Sequence, residues 1–227
     1  LGRGEPLPLV RFEGLLSATF PAAGVSSVRW RATRTSLSVS YDARGNLTSD
    51  GKFTYTYNKQ DRMISATSLT DLTSITYGYD AQGRRISRTL THTDVTGEVP
   101  VISVDTTRFA YDGVNIVAEF YGTGAVKRSF QWGIGKAGSI GALLSITDAS
   151  GTYTPVYDSN GNIVGLLDAN GDVAASYTYA AFGKLLSATG PAAEICPLGW
   201  QTMYRDPVTG LYRKRCHAIY YLIFACV

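Results

Sequence analysis

One short unit recurs along the chain and limits what it can fold into: Tyr-Asp, two residues, Gly, a polar residue, then apolar residues. It is spelled Tyr41-Asp42-Ala43-Arg44-Gly45-Asn46-Leu47, Tyr79-Asp80-Ala81-Gln82-Gly83-Arg84-Arg85-Ile86 and Tyr157-Asp158-Ser159-Asn160-Gly161-Asn162-Ile163. A weaker copy, Tyr57-Asn58-Lys59-Gln60-Asp61-Arg62-Met63, has Asp61 in place of Gly. Another, Tyr179-Ala180-Ala181-Phe182-Gly183-Lys184-Leu185, keeps Tyr and Gly and loses Asp. Asp148-Ala149-Ser150-Gly151 and Asp168-Ala169-Asn170-Gly171 lack the Tyr. Asp at the first turn position accepts hydrogen bonds from backbone N–H groups two residues on. Gly three places later takes the left-handed conformation that closes a type I turn with a bulge. The unit is therefore a hairpin loop, and the Tyr ends the incoming strand. Tyr111-Asp112-Gly113 is shorter and predicts a two-residue type I′ loop at Asp112-Gly113.

Between the turns lie runs of period two, Lys52–Tyr57, Thr73–Tyr79 and Ala175–Tyr179, where Tyr and Ile alternate with Thr and Ser. That alternation marks half-buried strands. The Tyr-to-Tyr spacings are irregular, which argues against a strict solenoid, and no run of ten or more residues has a helical period. The expected fold is all-β, a succession of antiparallel β-hairpins forming a curled, spiralling sheet. The 15 Tyr and 24 Gly are concentrated in the turn unit rather than spread as a general β-preference. Residues 1–40 form a poorly patterned N-terminal segment, and the repeat sheet covers 41–190.

Formal net charge is +3, and it belongs to the ends: residues 1–34 and 201–227 carry +3 each, while the body between them carries −3. A mildly acidic body does not fit a nucleic-acid-binding module, which clusters bases with exposed aromatics on one face. Ala218–Val227, the longest apolar stretch, is ten residues, about half of what a membrane-spanning helix needs.

Candidate chemistry is sparse. Gly133-Ile134-Gly135-Lys136-Ala137-Gly138 spells G-x-G-x-x-G, but a dinucleotide loop needs a helix next, and Ser139–Ile146 reads as a strand. A flexible loop between hairpins is the expected outcome, with no cofactor. Cys196, Cys216, Cys226 and His217 lack the paired spacing of a zinc site, so unpaired thiols are expected and no metal. His92 and His217 sit in no motif that would aim a nucleophile; His92 is expected as a solvated strand-end residue. Arg84-Arg85 and Lys127-Arg128 are expected on solvated strand faces. Most Asp residues already have a turn role, so no catalytic residue is assigned. The Tyr rows fit cross-strand packing better than the stacking of sugar rings.

The Tyr-Asp-x-x-Gly-Asn units resemble the YD repeats of Rhs proteins, wall-associated bacterial proteins and teneurins. The later part is similar to the Rhs-associated core: Ala175-Ser176-Tyr177-Thr178-Tyr179 leads to Phe182-Gly183, and Asp206-Pro207-Val208-Thr209-Gly210-Leu211-Tyr212 matches its D-P-x-T-G-L-Y step. On that resemblance residues 191–212 form a core-like end motif, with Asp206, Pro207, Thr209, Gly210, Leu211 and Tyr212 as its signature. The structural turn residues are then Tyr41, Asp42, Gly45, Tyr79, Asp80, Gly83, Tyr111, Asp112, Tyr157, Asp158, Gly161 and Gly183. Ala180-Ala181 replace the usual Asp-Pro, and residues 213–227 form a divergent C-terminal tail. Both ends are expected to be foreign to the repeat frame, through truncation or a shifted reading frame.

The resemblance implies part of a β-shell or barrel: a non-catalytic scaffold of a secreted or cell-surface bacterial protein that encloses or presents a C-terminal effector absent here. Its implied partners are other parts of the shell or an encapsulated effector. A carbohydrate- or partner-binding adhesion module using exposed Tyr rows is the alternative, and a hydrolase with convergent acids a third.

Overall fold

The alternating runs become strands, and the Asp-Gly units become the loops between them. In the computed structural model, residues 39–133 and 142–213 are described. The first strands are β1 (Ser40–Tyr41), β2 (Leu47–Ser49), β3 (Phe53–Tyr57), β4 (Met63–Ser68), β5 (Thr73–Tyr79), β6 (Arg85–Asp94) and β7 (Val101–Asp112). Then come β8 (Asn115–Tyr121), β9 (Val126–Trp132), β10 (Leu143–Asp148), β11 (Gly151–Tyr157), β12 (Ile163–Leu167), β13 (Val173–Tyr179) and β14 (Leu185–Thr189). All 14 lie in one sheet in sequence order. No α-helix occurs among the described residues. Residues 1–38, 134–141 and 214–227 lie outside them, and so do most of the G-x-G-x-x-G loop, Cys216, His217 and Cys226.

In a sequential antiparallel meander, connections alternate between the two rims of the sheet. The loops at Asp42, Asn58, Asp80, Gly113, Asp158 and Ala180 each lead from an odd-numbered strand to an even one, so all of them fall on one rim. The loops at Asp50, Asp148 and Asp168 fall on the other. Irregular Tyr spacing follows, because two strands and one opposite-rim loop of variable length separate successive loops on this rim, and the β9–β10 connection between Tyr111 and Tyr157 carries no Tyr-Asp unit.

Each turn rim also carries a bulge that the alternation rule did not predict. Thr56 faces Ser65 and Tyr57 faces Met63, leaving Ile64 unpaired. Gly78 and Tyr79 face Ser87 and Arg85, leaving Ile86. The same skip leaves Thr48, Val117, Leu144, Val164 and Leu186 unpaired. A bulge bends its strand and increases local twist, so seven on this rim, against two at Lys127 and Ala174 on the other, curl the sheet. The sequence signal is a doublet after each turn, such as Met63-Ile64 or Ile163-Val164. It breaks the period of two, and its first member packs inward: Met63 and Ile163 are buried.

At four of the units the Tyr bridges the gap beside a bulge. Its hydroxyl donates to the carbonyl at the start of the preceding strand: Tyr79 to Met63 at 2.6 Å and Tyr111 to Arg85 at 2.7 Å. Tyr157 donates to Leu143 at 2.8 Å and Tyr179 to Ile163 at 2.9 Å. Arginines of preceding turns cover two of these rings, Arg62 on Tyr79 at 5.3 Å and Arg84 on Tyr111 at 5.2 Å. Tyr79→Phe and Tyr157→Phe should each cost about 1 kcal/mol, and the distant pair together about 2, measured by urea unfolding.

Two apolar clusters line the inner face. One holds Leu47, Tyr55, Met63, Ala66, Ile75 and Tyr77. The other includes Phe109, Phe130, Ile146, Ile163 and Tyr177. The chain after β14 supplies Leu211 to the first and Leu198 and Tyr204 to the second. This strap, residues 190–213, contains a 3-10 turn (Trp200–Thr202) and a small hairpin of β15 (Tyr204–Arg205) and β16 (Tyr212–Arg213).

Candidate functional site

The turn loops share one backbone plan. In the first, the Asp42 N–H donates to Asn46 O at 2.9 Å, and the Gly45 N–H to Asp42 O at 3.0 Å. Asp42 Oδ1 accepts from the N–H groups of Arg44 and Asn46, and Oδ2 from the Asn46 side chain at 2.9 Å. The Asp158 loop repeats this set with Asn160 and Asn162. Asp80 instead takes the Arg84 guanidinium at 2.6 Å. Gly45, Gly83, Gly161 and Gly183 all have φ between +77° and +85°. Asp61 takes the glycine position at φ +56°, where its carboxylate accepts from the Asn46 side chain at 2.8 Å.

Two loops differ from expectation. Asp112 pairs with Asn115, so the short loop is Gly113-Val114, one residue further on. Gly113 alone has positive φ, because the β-branched Val114 resists it, and a type I′ turn needs positive φ at both central residues. Tyr121–Ala125 forms the same five-residue loop with no Asp, and no Asp-Gly signal marked it. The Ala180 loop also keeps both backbone bonds, at 2.8 Å, without an acceptor side chain. Ala180→Asp should restore bonds to the N–H groups of Phe182 and Lys184 and add about 1 kcal/mol of stability, read as a higher urea midpoint.

These turn residues are spread along a rim and do not converge; Tyr41 is 48% exposed at the sheet edge. Convergence occurs at the end motif. Asp206 opens a turn in which its Oδ1 accepts from the N–H groups of Val208 and Thr209, and Gly210 closes it at φ +73°. Here the turn faces inward, and Asp206 is 2% exposed. Its Oδ2 accepts from Tyr77 Oη and Arg88 Nε, both at 3.0 Å, with Arg85 Nη1 at 3.8 Å. Arg85 also stacks on the Tyr77 ring at 4.1 Å. Burial pushes the Asp206 carboxyl up, but Arg88, Arg85 and the turn N–H groups outweigh it and hold the group below its usual range.

The arginine pairs therefore do not both sit on solvated faces, as expected above. Arg85 and Arg88 are 2% and 3% exposed, and Arg128 Nε lies 3.1 Å from the buried Glu119 Oε2. His92 shares a hydrogen bond with Thr73 Oγ1 at 2.9 Å rather than facing water alone. Burial raises the Glu119 carboxyl, against the pull of Arg128 and Lys127. Arg128 also donates to Ile195 O in the strap. Further along, Gln201 N donates to Asn162 Oδ1 at 2.8 Å and Arg213 Nη1 to Tyr111 Oη at 2.7 Å. Tyr204 meets Phe109 edge to face at 5.5 Å.

Strap and sheet enclose a cavity of about 210 Å³, lined among others by Arg88, Glu119, Arg128, Tyr177, Tyr179 and Tyr204. No group of His, Cys, Asp and Glu among the described residues is placed to hold a metal. Cys196 is a free thiol there, pushed up by burial to about 12.

A family model, the teneurin YD-shell, matches residues 32–221. The chain belongs to the teneurin YD-shell family. It is 36% identical over 149 residues to the "tRNA3(Ser)-specific nuclease WapA" of Bacillus spizizenii, covering 64% of this chain and 6% of that protein. Against the "tRNA nuclease WapA" of Bacillus subtilis it is 38% identical over 99 residues, covering 42% of this chain and 4% of that one. The fold matches the crystal structure of TcdB2-TccC3 with a TM-score of 0.55, at 16% identity over 77% of this chain and 9% of the other. A Photorhabdus luminescens Tc holotoxin pore gives 0.55 at 17% identity, with the same coverages of 77% and 9%. The YD-shell chain thus spans under a tenth of these relatives. Its all-β sheet, open at both edges, is similar in fold to a part of the TcdB2-TccC3 structure.

Proposed function

We propose that this chain is a wall segment of a hollow YD shell that encloses or presents a C-terminal effector and performs no catalysis of its own. The observation that carries the reading is the strap. It ties β5 and β6 through Asp206, β9 through Arg128 and β13 through the Tyr177 hydroxyl. An inner cross-brace holding a curled sheet in shape is what a container wall requires. The relatives' printed names, a nuclease and a toxin complex, support a secreted or cell-surface toxin-delivery setting. Their nuclease activity is ascribed here to parts of those proteins that this chain does not cover. Glycan binding through Tyr rows gains little support, since Tyr55, Tyr77 and Tyr177 are buried and four further hydroxyls bond to backbone. Incubating the 227-residue chain with total tRNA tests the reading: intact tRNA is expected. Cleavage that is lost on substituting an inner-face residue would overturn it.

A further inference from the structure

Asn-Gly occurs twice, as Asn160-Gly161 and Asn170-Gly171, in loops of one plan on opposite rims. In this dipeptide the backbone nitrogen reaches the preceding side-chain amide with least hindrance, because Gly carries no Cβ. The turn bonds of the two loops match. Gly161 N–H donates to Asp158 O and Gly171 N–H to Asp168 O, both at 3.1 Å. Asp158 Oδ1 accepts from the N–H groups of Asn160 and Asn162 at 2.9 Å, and Asp168 Oδ1 from those of Asn170 and Asp172 at 2.8 and 3.0 Å. What holds each loop shut differs. In the first, Asn162 Nδ2 donates to Asp158 Oδ2 at 2.6 Å. The strap adds Gln201 N–H to Asn162 Oδ1 at 2.8 Å and Thr202 Oγ1 to Gly161 O at 3.0 Å. The second loop has Asp172 where the first has Asn162, and a carboxylate offers Asp168 Oδ2 no donor. Asn170, Gly171 and Asp172 are all exposed, and among the described residues no strap group bonds to them.

We infer that Asn170 is a site of spontaneous deamidation and that the strap protects its twin, Asn160. Once released from Asp168 O, the Gly171 nitrogen loses its proton and attacks Asn170 Cγ. The new C–N bond closes a succinimide, and the side-chain nitrogen leaves as ammonia, taking up that proton. Water then opens either ring carbonyl, leaving aspartate or isoaspartate at position 170. Both products place a third carboxylate beside Asp168 and Asp172, and isoaspartate also lengthens the loop backbone by one methylene. At Asn170 only the turn bonds must open. At Asn160 three further hydrogen bonds hold the loop, so it should react at least about tenfold more slowly. Peptide mapping by mass spectrometry of the full folded chain, kept in mildly alkaline buffer, tests this, with isoaspartate read by enzymatic methyl transfer from S-adenosylmethionine. Modified Asn170 should accumulate while Asn160 stays intact, and in urea the two sites should react at similar rates. Asp172→Asn supplies the missing donor to Asp168 Oδ2 and should slow Asn170 about fivefold. Thr202→Val removes one strap bond and should speed Asn160 while leaving Asn170 unchanged. Equal rates in the folded chain, or a faster Asn160, would overturn the inference, as would a rate difference that persists in urea.

Discussion

Asp206→Ala should lower the unfolding free energy by about 3–5 kcal/mol, the cost of removing one partner from a buried ion pair. Arg85 and Arg88, both nearly fully buried, would lose the carboxylate they share. The Tyr77 hydroxyl and the N–H groups of Val208 and Thr209 would lose an acceptor as well. For a chain of this size the melting temperature should fall by about 10 °C, and limited proteolysis should cut first in the strap. An unchanged melting temperature would mean that the brace holds nothing. The carboxyl also sets a pH response. Its folded pKa lies below the usual value of 3.8, so its contribution is complete above that value and is lost as pH falls through the folded one. Glu119 has the opposite sign, because its folded pKa is raised above 4.5: stability falls as pH rises above that value, until the folded group ionises too. Stability from this pair of acids should peak near pH 4, and Asp206→Asn should flatten only the acid limb of a urea series.

Gly190→Ala should be the second severe change. At φ +99° an added Cβ would stand 2.4 Å from Ala174 O and 3.0 Å from Ala175 Cα, and backbone atoms of β13, paired with β12 and β14, cannot easily retreat. Left-handed backbone costs an L-residue about 1–2 kcal/mol, and forced overpacking adds about 1–3. The total should reach about 3 kcal/mol or more, because the strap leaves the sheet here, anchored by Ala192 N on Ala174 O at 3.0 Å. Gly161→Ala is the matched control. Its φ is +77° with nothing within 4 Å of the added Cβ, so only the conformational cost of about 1–2 kcal/mol remains. Equal urea midpoints for the two variants would refute the close approach at Gly190.

Legibility in the sequence followed the distance over which the physics acts. The Asp42, Asp80 and Asp158 loops could be read because the Asp, the N–H groups it accepts from and the Gly lie within five residues. The strand alternation gave the hairpins, and hairpins in series gave the sheet. Arg85 was misread because its ring partner is eight residues back and its counter-ion, Asp206, lies far along the chain. Nothing local to Arg84-Arg85-Ile86 separates a solvated face from a buried one. The bulges lay between these cases: doublets such as Ile163-Val164 were visible, but a period of two hides a skipped residue unless the pairing partner is known. The Tyr hydroxyl staples escaped for the same reason, since donor and acceptor belong to neighbouring hairpins.

Placing every Tyr-Asp loop on one rim has a further consequence for how such a wall can grow. A strand added singly would move all later loops, bulges and staples to the opposite rim and reverse the bend beyond that point. A whole hairpin leaves the curvature intact and merely lengthens the arc. The size of the enclosure is thus quantised in steps of two strands. The opposite rim carries fewer bulges, at Lys127 and Ala174, and length varies there, as in the connection between β6 and β7.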